Sequence, residues 1–278
     1  MTTAEITEES TSRWIDAGGM RLHYHDIGEG EPLLMLHSVG PGAFTAWITF
    51  CRNFPALSRH FRCIAMDLPN FAKSGPYVYK EPVHNLQART AHALVDALGL
   101  DRVNVLGTSQ GGQSGMIFAA HYPERVKKLV FGACHIVTGG DNYLIANHRR
   151  APRGAGVTLE SVREAMWEQL FDESLVTDDL VQYLYEMATG RPDLQEARRQ
   201  SISTYYDHGP DVVSITAPAL IIWGRQDRIC PFEVGIKSLN HLRNSRLVVL
   251  NNCGHWPGYE KPEEYNAHVL NFLTGYWA

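Results

Sequence analysis

Three observations predict an α/β protein with a mostly parallel sheet covered by helices on both faces. Short continuous apolar runs recur at residues 32–36, 63–66, 103–106, 128–131, 220–223 and 247–250. Runs of that kind suit strands buried on both faces rather than strands with one wet face. Helix-forming segments separate most of them, and a strand–helix–strand rhythm gives parallel neighbours joined by helical crossovers. The third observation is a break in that rhythm between Ile136 and about Pro210, where helical segments follow one another without an apolar run. At 278 residues the chain is one large domain or a domain with an inserted subdomain. The expected division is a core of residues 1–136 and 211–278 with a helical cap at 137–210.

Taken in order, Met1 to Ser12 reads as a loose polar tail. Two short strands follow, around Trp14-Ile15-Asp16 and Leu22-His23-Tyr24-His25. The second alternates apolar and polar residues as a half-exposed antiparallel strand does. A turn at Gly28-Glu29-Gly30-Glu31-Pro32 leads into the first buried strand, and one helix is expected over residues 47–58. Further helices are expected at 83–98 and from Gln113 to Tyr122. The cap helices fall at 159–171, 178–189 and 193–205, and the last helices begin near Phe232 and Pro262.

Composition narrows the function classes. Hydrophobic residues at 44% and charged residues at 20% belong to an ordinary globular protein. A net charge of −5 supplies no basic face for phosphates, so no nucleic acid partner is expected. No apolar run approaches the roughly 20 residues of a membrane span, so no membrane partner is expected, and the acidic, polar N-terminus does not read as a signal peptide. The five cysteines, Cys51, Cys63, Cys134, Cys230 and Cys253, lack metal-ligand spacing. They read as free buried thiols of a cytoplasmic protein.

Chemistry concentrates at Gly107-Thr108-Ser109-Gln110-Gly111-Gly112. The apolar run 103–106 drives into this G-x-S-x-G pattern and a helix-permissive segment follows, which puts Ser109 at the apex of a tight strand-to-helix turn. Side chains two residues either side of the apex would collide, and Gly107 and Gly111 remove that clash. A serine hydroxyl is a poor nucleophile at neutral pH and needs a base. Of thirteen histidines, His255 follows a late strand in the loop Asn252-Cys253-Gly254-His255-Trp256, at the sheet edge where ligands of such folds bind. Asp227 follows the preceding strand and is placed to fix the histidine tautomer. The expected oxyanion donors are the backbone N–H groups of Gln110 and of Val39, with Ser38 the close rival. The latter pair lies in the loop His37-Ser38-Val39-Gly40-Pro41-Gly42. His37 reads as a loop anchor. His135 is placed at the cap boundary, lining the pocket.

With these residues in hand, the chain resembles the α/β-hydrolase superfamily, and within it the meta-cleavage-product (carbon–carbon bond) hydrolases of aromatic and steroid ring degradation. The matching stretches are Leu36-His37 with Gly40-Pro41-Gly42-Ala43, Asp67-Leu68-Pro69 with Lys73-Ser74, and Gly107-x-Ser109-x-Gly111-Gly112. They continue with Trp223-Gly224-Arg225, Asp227-Arg228, Cys253-Gly254-His255-Trp256 and Glu264-Tyr265-Asn266, and in the cap with residues 171–177. The resemblance implies the α/β-hydrolase fold with an eight-stranded sheet and a helical lid, no cofactor, and a homodimer. It also marks departures. Where those hydrolases hold a dienoate with two asparagines and a cap arginine, this chain carries Thr49, Thr108 and, in an ungapped cap alignment, Leu184. Losing the arginine removes a charge-assisted carboxylate contact.

The expectation is therefore a serine hydrolase acting on a small molecule through an acyl-enzyme. Its nucleophile, base and acid are Ser109, His255 and Asp227, and its pocket includes Ser38, Gly40, Thr49, Thr108, His135, Leu184 and Trp256. The altered clamp points to an ester or lactone of an apolar, aromatic-type substrate, the alternative being carbon–carbon hydrolysis of a vinylogous diketone. Two other classes share the fold, cofactor-free dioxygenases and small-molecule receptors. The intact Asp227 and the ester-type elbow argue against the dioxygenase, while a receptor that keeps a slow triad would reveal itself by a single slow turnover with retained product.

Overall fold

The computed structural model describes residues 6–39, 45–134, 156–204 and 206–275. A short N-terminal helix, α1 (Glu8–Thr11), leads into β1 (Ser12–Ala17), β2 (Met20–Ile27) and β3 (Glu31–Leu36). After them come α2 (Ala46–Phe50), α3 (Phe54–Leu57), β4 (Phe61–Met66), α4 (Val83–Ala97), β5 (Val103–Thr108), α5 (Gln110–His121) and β6 (Val126–Gly132). The described part of the expected cap holds α6 (Leu159–Gln169), α7 (Asp178–Thr189) and α8 (Pro192–Gln200). The chain ends with α9 (Gly209–Val213), β7 (Ala219–Gly224), α10 (Glu233–His241), β8 (Ser245–Leu250), α11 (Pro257–Glu260) and α12 (Pro262–Leu273).

The strands form one eight-stranded sheet in the order β1-β2-β4-β3-β5-β6-β7-β8. β2 pairs antiparallel with β1 and β4, and every other pairing is parallel. This is the α/β-hydrolase fold. The alternation along each central strand explains the continuous apolar runs. Leu34, Leu36, Val105, Phe131, Ile221 and Trp223 pack on one face with Leu94 and Phe118 of α4 and α5. Their neighbours Leu33, Met35, Leu106, Val130, Leu220 and Ile222 pack on the other, against Phe50, Phe54, Val269 and Phe272. A third apolar cluster joins Val162, Met166, Val181 and Leu184 of α6 and α7 to Trp256 and Tyr259. Among the described residues no helix is long and apolar enough to cross a membrane.

Four local expectations are corrected. The expected loose tail contains α1, which Thr7 and Ser10 close with a reciprocal capping box. The helix expected over 47–58 divides into α2 and α3, with Pro55 in the first turn of α3 where a missing N–H costs little. β2 is not half-exposed: His23 and His25 are 0% and 1% exposed. α1, β1 and Asp67 supply their polar partners, through Thr11 to His25 at 2.9 Å, Ser12 to His23 at 2.6 Å and Asp67 to His23 at 2.7 Å. β8, read as a buried strand, is largely half-covered because it ends the sheet with a single neighbour.

Candidate active site

β5 delivers Ser109 to the carboxyl edge of the sheet, and α5 begins at the next residue. Ser109 adopts φ 53° and ψ −126°, a conformation costing a non-glycine residue about 1–3 kcal/mol and persisting only where its surroundings over-determine it. They do so here. The Ser109 N–H donates to the Gly132 carbonyl of β6 at 2.9 Å. A Cβ on Gly107 would lie 2.3 Å from the Gly111 carbonyl oxygen, and one on Gly111 would lie 2.1 Å from the Leu36 carbonyl oxygen. The turn is therefore held against β3 and β6 by close backbone packing.

His255 Nε2 lies 3.1 Å from Ser109 Oγ, and its Nδ1 lies 2.9 Å from Asp227 Oδ2. A carboxylate accepts only, so Nδ1 carries the proton and the Nε2 lone pair faces the serine hydroxyl. Asp227 is oriented in turn by the N–H groups of Ile229 and Cys230, each donating to Oδ1 at 2.8 Å. The buried Trp223 indole braces that turn by donating to the Cys230 carbonyl at 2.8 Å. The two loops also hold each other: Gln226 N–H donates to the Cys253 carbonyl at 2.9 Å, and Cys253 N–H donates to Gln226 Oε1 at 3.1 Å. Ser109, Asp227 and His255, expected together, are thus linked by hydrogen bonds, with His255 between the other two.

Gln110 opens α5, so its N–H is one of the first-turn donors that the helix leaves without an internal partner. Val39 lies between a fixed anchor and a segment outside the described residues. Its anchor is His37, fully buried, whose Nδ1 donates to the Ser38 carbonyl at 2.5 Å and whose Nε2 accepts the Leu68 N–H at 2.8 Å. Burial lowers the His37 pKa, which keeps the ring neutral as that pairing requires. Ser38 is also fully buried, its hydroxyl without a hydrogen-bond partner among the described residues. Gly40 and His135 lie outside the described residues.

Beside the elbow lies a narrow cleft lined by Thr49, Phe50, Asn53, Thr108, Trp256, Gly258, Tyr259 and Tyr265. Thr49, Thr108 and Trp256, separated by many residues, therefore meet in one place. None of the lining side chains carries a charge. The Thr49 hydroxyl donates to the Thr45 carbonyl at 2.9 Å, which leaves its oxygen as an acceptor. Leu184 is not among the cleft residues. It is fully buried in the α6–α7 cluster that also holds Trp256.

Sequence reasoning missed the residues that tie α6 and α7 to this site. Tyr183 of α7 lies 3.0 Å from the Thr45 hydroxyl that caps α2, and its own hydroxyl donates to Glu8. Gln169 Oε1 accepts the Trp256 indole N–H at 3.0 Å. Glu260 accepts N–H groups from both the His255 loop and the end of α6. Only Glu260 left a signal, as an acidic residue soon after the histidine loop; the others depend on contacts across the fold.

Comparison with known proteins agrees with this geometry. A family profile for the alpha/beta hydrolase fold matches residues 31–136. The chain is 35% identical to a 2-hydroxy-6-oxononadienedioate/2-hydroxy-6-oxononatrienedioate hydrolase of Dechloromonas aromatica, over 98% of this chain and 99% of that one. It is 37% identical to a protein of the same designation from Pseudomonas putida, again over 98% and 99%. Among solved structures, a meta-cleavage product hydrolase of Pseudomonas fluorescens IP01 superposes with a TM-score of 0.79 at 27% identity, covering 94% of this chain and 97% of that one. The chain belongs to the meta-cleavage-product hydrolases of the α/β-hydrolase superfamily.

Proposed function

We propose that this enzyme hydrolyses a carbon–carbon bond in a meta-cleavage product, a vinylogous diketone bearing a 2-hydroxydienoate end. The observation that carries the hydrolytic chemistry is the position of His255, 3.1 Å from Ser109 Oγ and 2.9 Å from Asp227. The bond type rests on the relatives, which are designated dienedioate/trienedioate hydrolases and, in one case, a dienoate hydrolase, and which match over nearly the whole chain. This replaces the ester or lactone expected from the altered clamp, since those relatives support the carbon–carbon alternative. We also read residues 137–210 as the cap that closes over the substrate.

In the proposed reaction His255 takes the Ser109 proton as the hydroxyl oxygen attacks the ketone carbonyl. The tetrahedral oxyanion is held by the N–H groups of Gln110 and Val39. Collapse breaks the carbon–carbon bond, and its electron pair is delocalised into the adjoining enone, which makes a carbon leaving group tolerable. The imidazolium of His255 protonates that fragment. Water, deprotonated by His255, then hydrolyses the acyl-enzyme and frees a carboxylic acid and Ser109. The enol of the substrate must become the keto form before attack, so the cleft beside Thr108 has to hold the dienoate end during that proton shift. There Thr49 and Thr108 line the cleft with uncharged side chains.

A substrate panel tests the bond type. Purified enzyme should consume 2-hydroxy-6-oxo-6-phenylhexa-2,4-dienoate, the substrate in the designation of a 33% identical relative, with loss of its conjugated absorbance and release of the acid. Aryl and alkyl esters should turn over more slowly. Efficient ester hydrolysis with the dienoate untouched would return the reading to the ester or lactone class.

A further inference from the structure

The end of α6 sits directly on the loop that carries His255. Helix ends leave carbonyl groups without internal partners, and here the core supplies them. The His255 N–H donates to the Gln169 carbonyl at 2.7 Å, and Arg228, next to Asp227, donates to the Trp167 carbonyl at 3.1 Å. The approach is so close that a Cβ on Gly254 would lie 2.5 Å from the Gln169 carbonyl oxygen. Beyond the helix the chain presents two N–H groups, and one side chain answers both segments. Glu260 Oε2 accepts the Phe171 N–H at 2.7 Å and the Asp172 N–H at 3.3 Å, while Oε1 accepts the Gly254 N–H at 2.8 Å.

We propose that Glu260 is a positioning residue that locks the His255 loop to the end of α6, so that the cap and the general base move as one body. The proposal rests on Ser109, His255 and Asp227 being the reacting set. Both carboxylate oxygens are needed because donors approach from both sides, and a carboxylate is the side chain that accepts at each end. Gly254 immediately precedes His255, so a displaced Gly254 carries the imidazole with it. The distance from Nε2 to Ser109 Oγ is therefore set partly by the cap. A shift of this kind acts on the chemical step more than on substrate affinity.

The test is Glu260→Gln, which keeps the shape but turns an N–H₂ toward one set of donors. We expect kcat on the dienoate to fall at least about tenfold with KM within about threefold. The rate at which a small aryl phosphonofluoridate phosphonylates Ser109 should fall in parallel, because that reaction uses His255 without needing the cap for binding. Glu263→Gln, exposed on α12, should match wild type in all three. Glu260→Asp keeps the charge but is one methylene short of bridging both segments, and it carries the same expectation should Glu260→Gln not fold. A rise in KM alone, or unchanged phosphonylation, would reduce Glu260 to a strut of the cap and overturn the proposal. Turnover surviving in Ser109→Ala would instead remove the nucleophile assignment, an outcome the Glu260 variants cannot imitate.

Discussion

Two buried histidines of different kinds show how single residues are set by their partners. His255 is 2% exposed and bound on both nitrogens, one to an acid and one to the nucleophile. His25 is 1% exposed and bound to the Thr11 hydroxyl, and burial holds its pKa down to about 4 from 6.5 against the opposing pull of Asp67. A histidine kept neutral in the fold binds fewer protons than the unfolded chain between those two values. Stability is accordingly lost as pH falls from 6.5 to 4 and levels out below, by on the order of 3 kcal/mol for this group. Urea denaturation across that window should show the decline, and His25→Asn should flatten it; an equal slope in the variant would mean other groups carry the dependence. This histidine was misread from the sequence for a physical reason. Alternation in Leu22-His23-Tyr24-His25 assigns a wet face, but α1 and β1 cover that face and bring Thr11 and Ser12 to the rings.

Elements that make their own case in sequence were legible. The runs at 32–36 and 220–223 became β3 and β7, buried on both faces, and the segment 178–189 became α7 with those same ends. The elbow was legible as well, since its glycines encode a backbone approach rather than a distant contact. What could not be read was how α6 and α7 meet the core, because that depends on partners far along the chain, such as Tyr183 with Thr45 and Phe171 with Glu260. Leu184 belongs to this scale. It is fully buried in the cluster with Trp256, which itself lines the cleft. Leu184→Arg should therefore reduce Tm, because a guanidinium replaces a fully buried apolar side chain, and leave KM for the dienoate within about threefold, since residue 184 does not line the cleft. A KM lowered about tenfold, as one charge-assisted carboxylate contact provides, would place residue 184 at the substrate carboxylate instead.

At the scale of the whole molecule, α6 and α7 are fastened to the rest of the fold at two places. At one, Tyr183 reaches Thr45 at the start of α2 and Glu8 of α1, and Lys73 pairs with the same Glu8 at 3.1 Å. At the other, Gln169 and Glu260 join the end of α6 to the loop of His255. The cleft beside the elbow is lined by uncharged side chains, Trp256 and Tyr259 of the α6–α7 cluster among them. The central claim is that Ser109 makes the covalent attack in carbon–carbon cleavage. It is tested most directly by steady-state turnover of 2-hydroxy-6-oxo-6-phenylhexa-2,4-dienoate by the wild-type enzyme and by Ser109→Ala. The account predicts a loss of kcat of at least about 10³-fold in a variant that keeps the wild-type fold and still binds the dienoate. Turnover within a few-fold of wild type would contradict it.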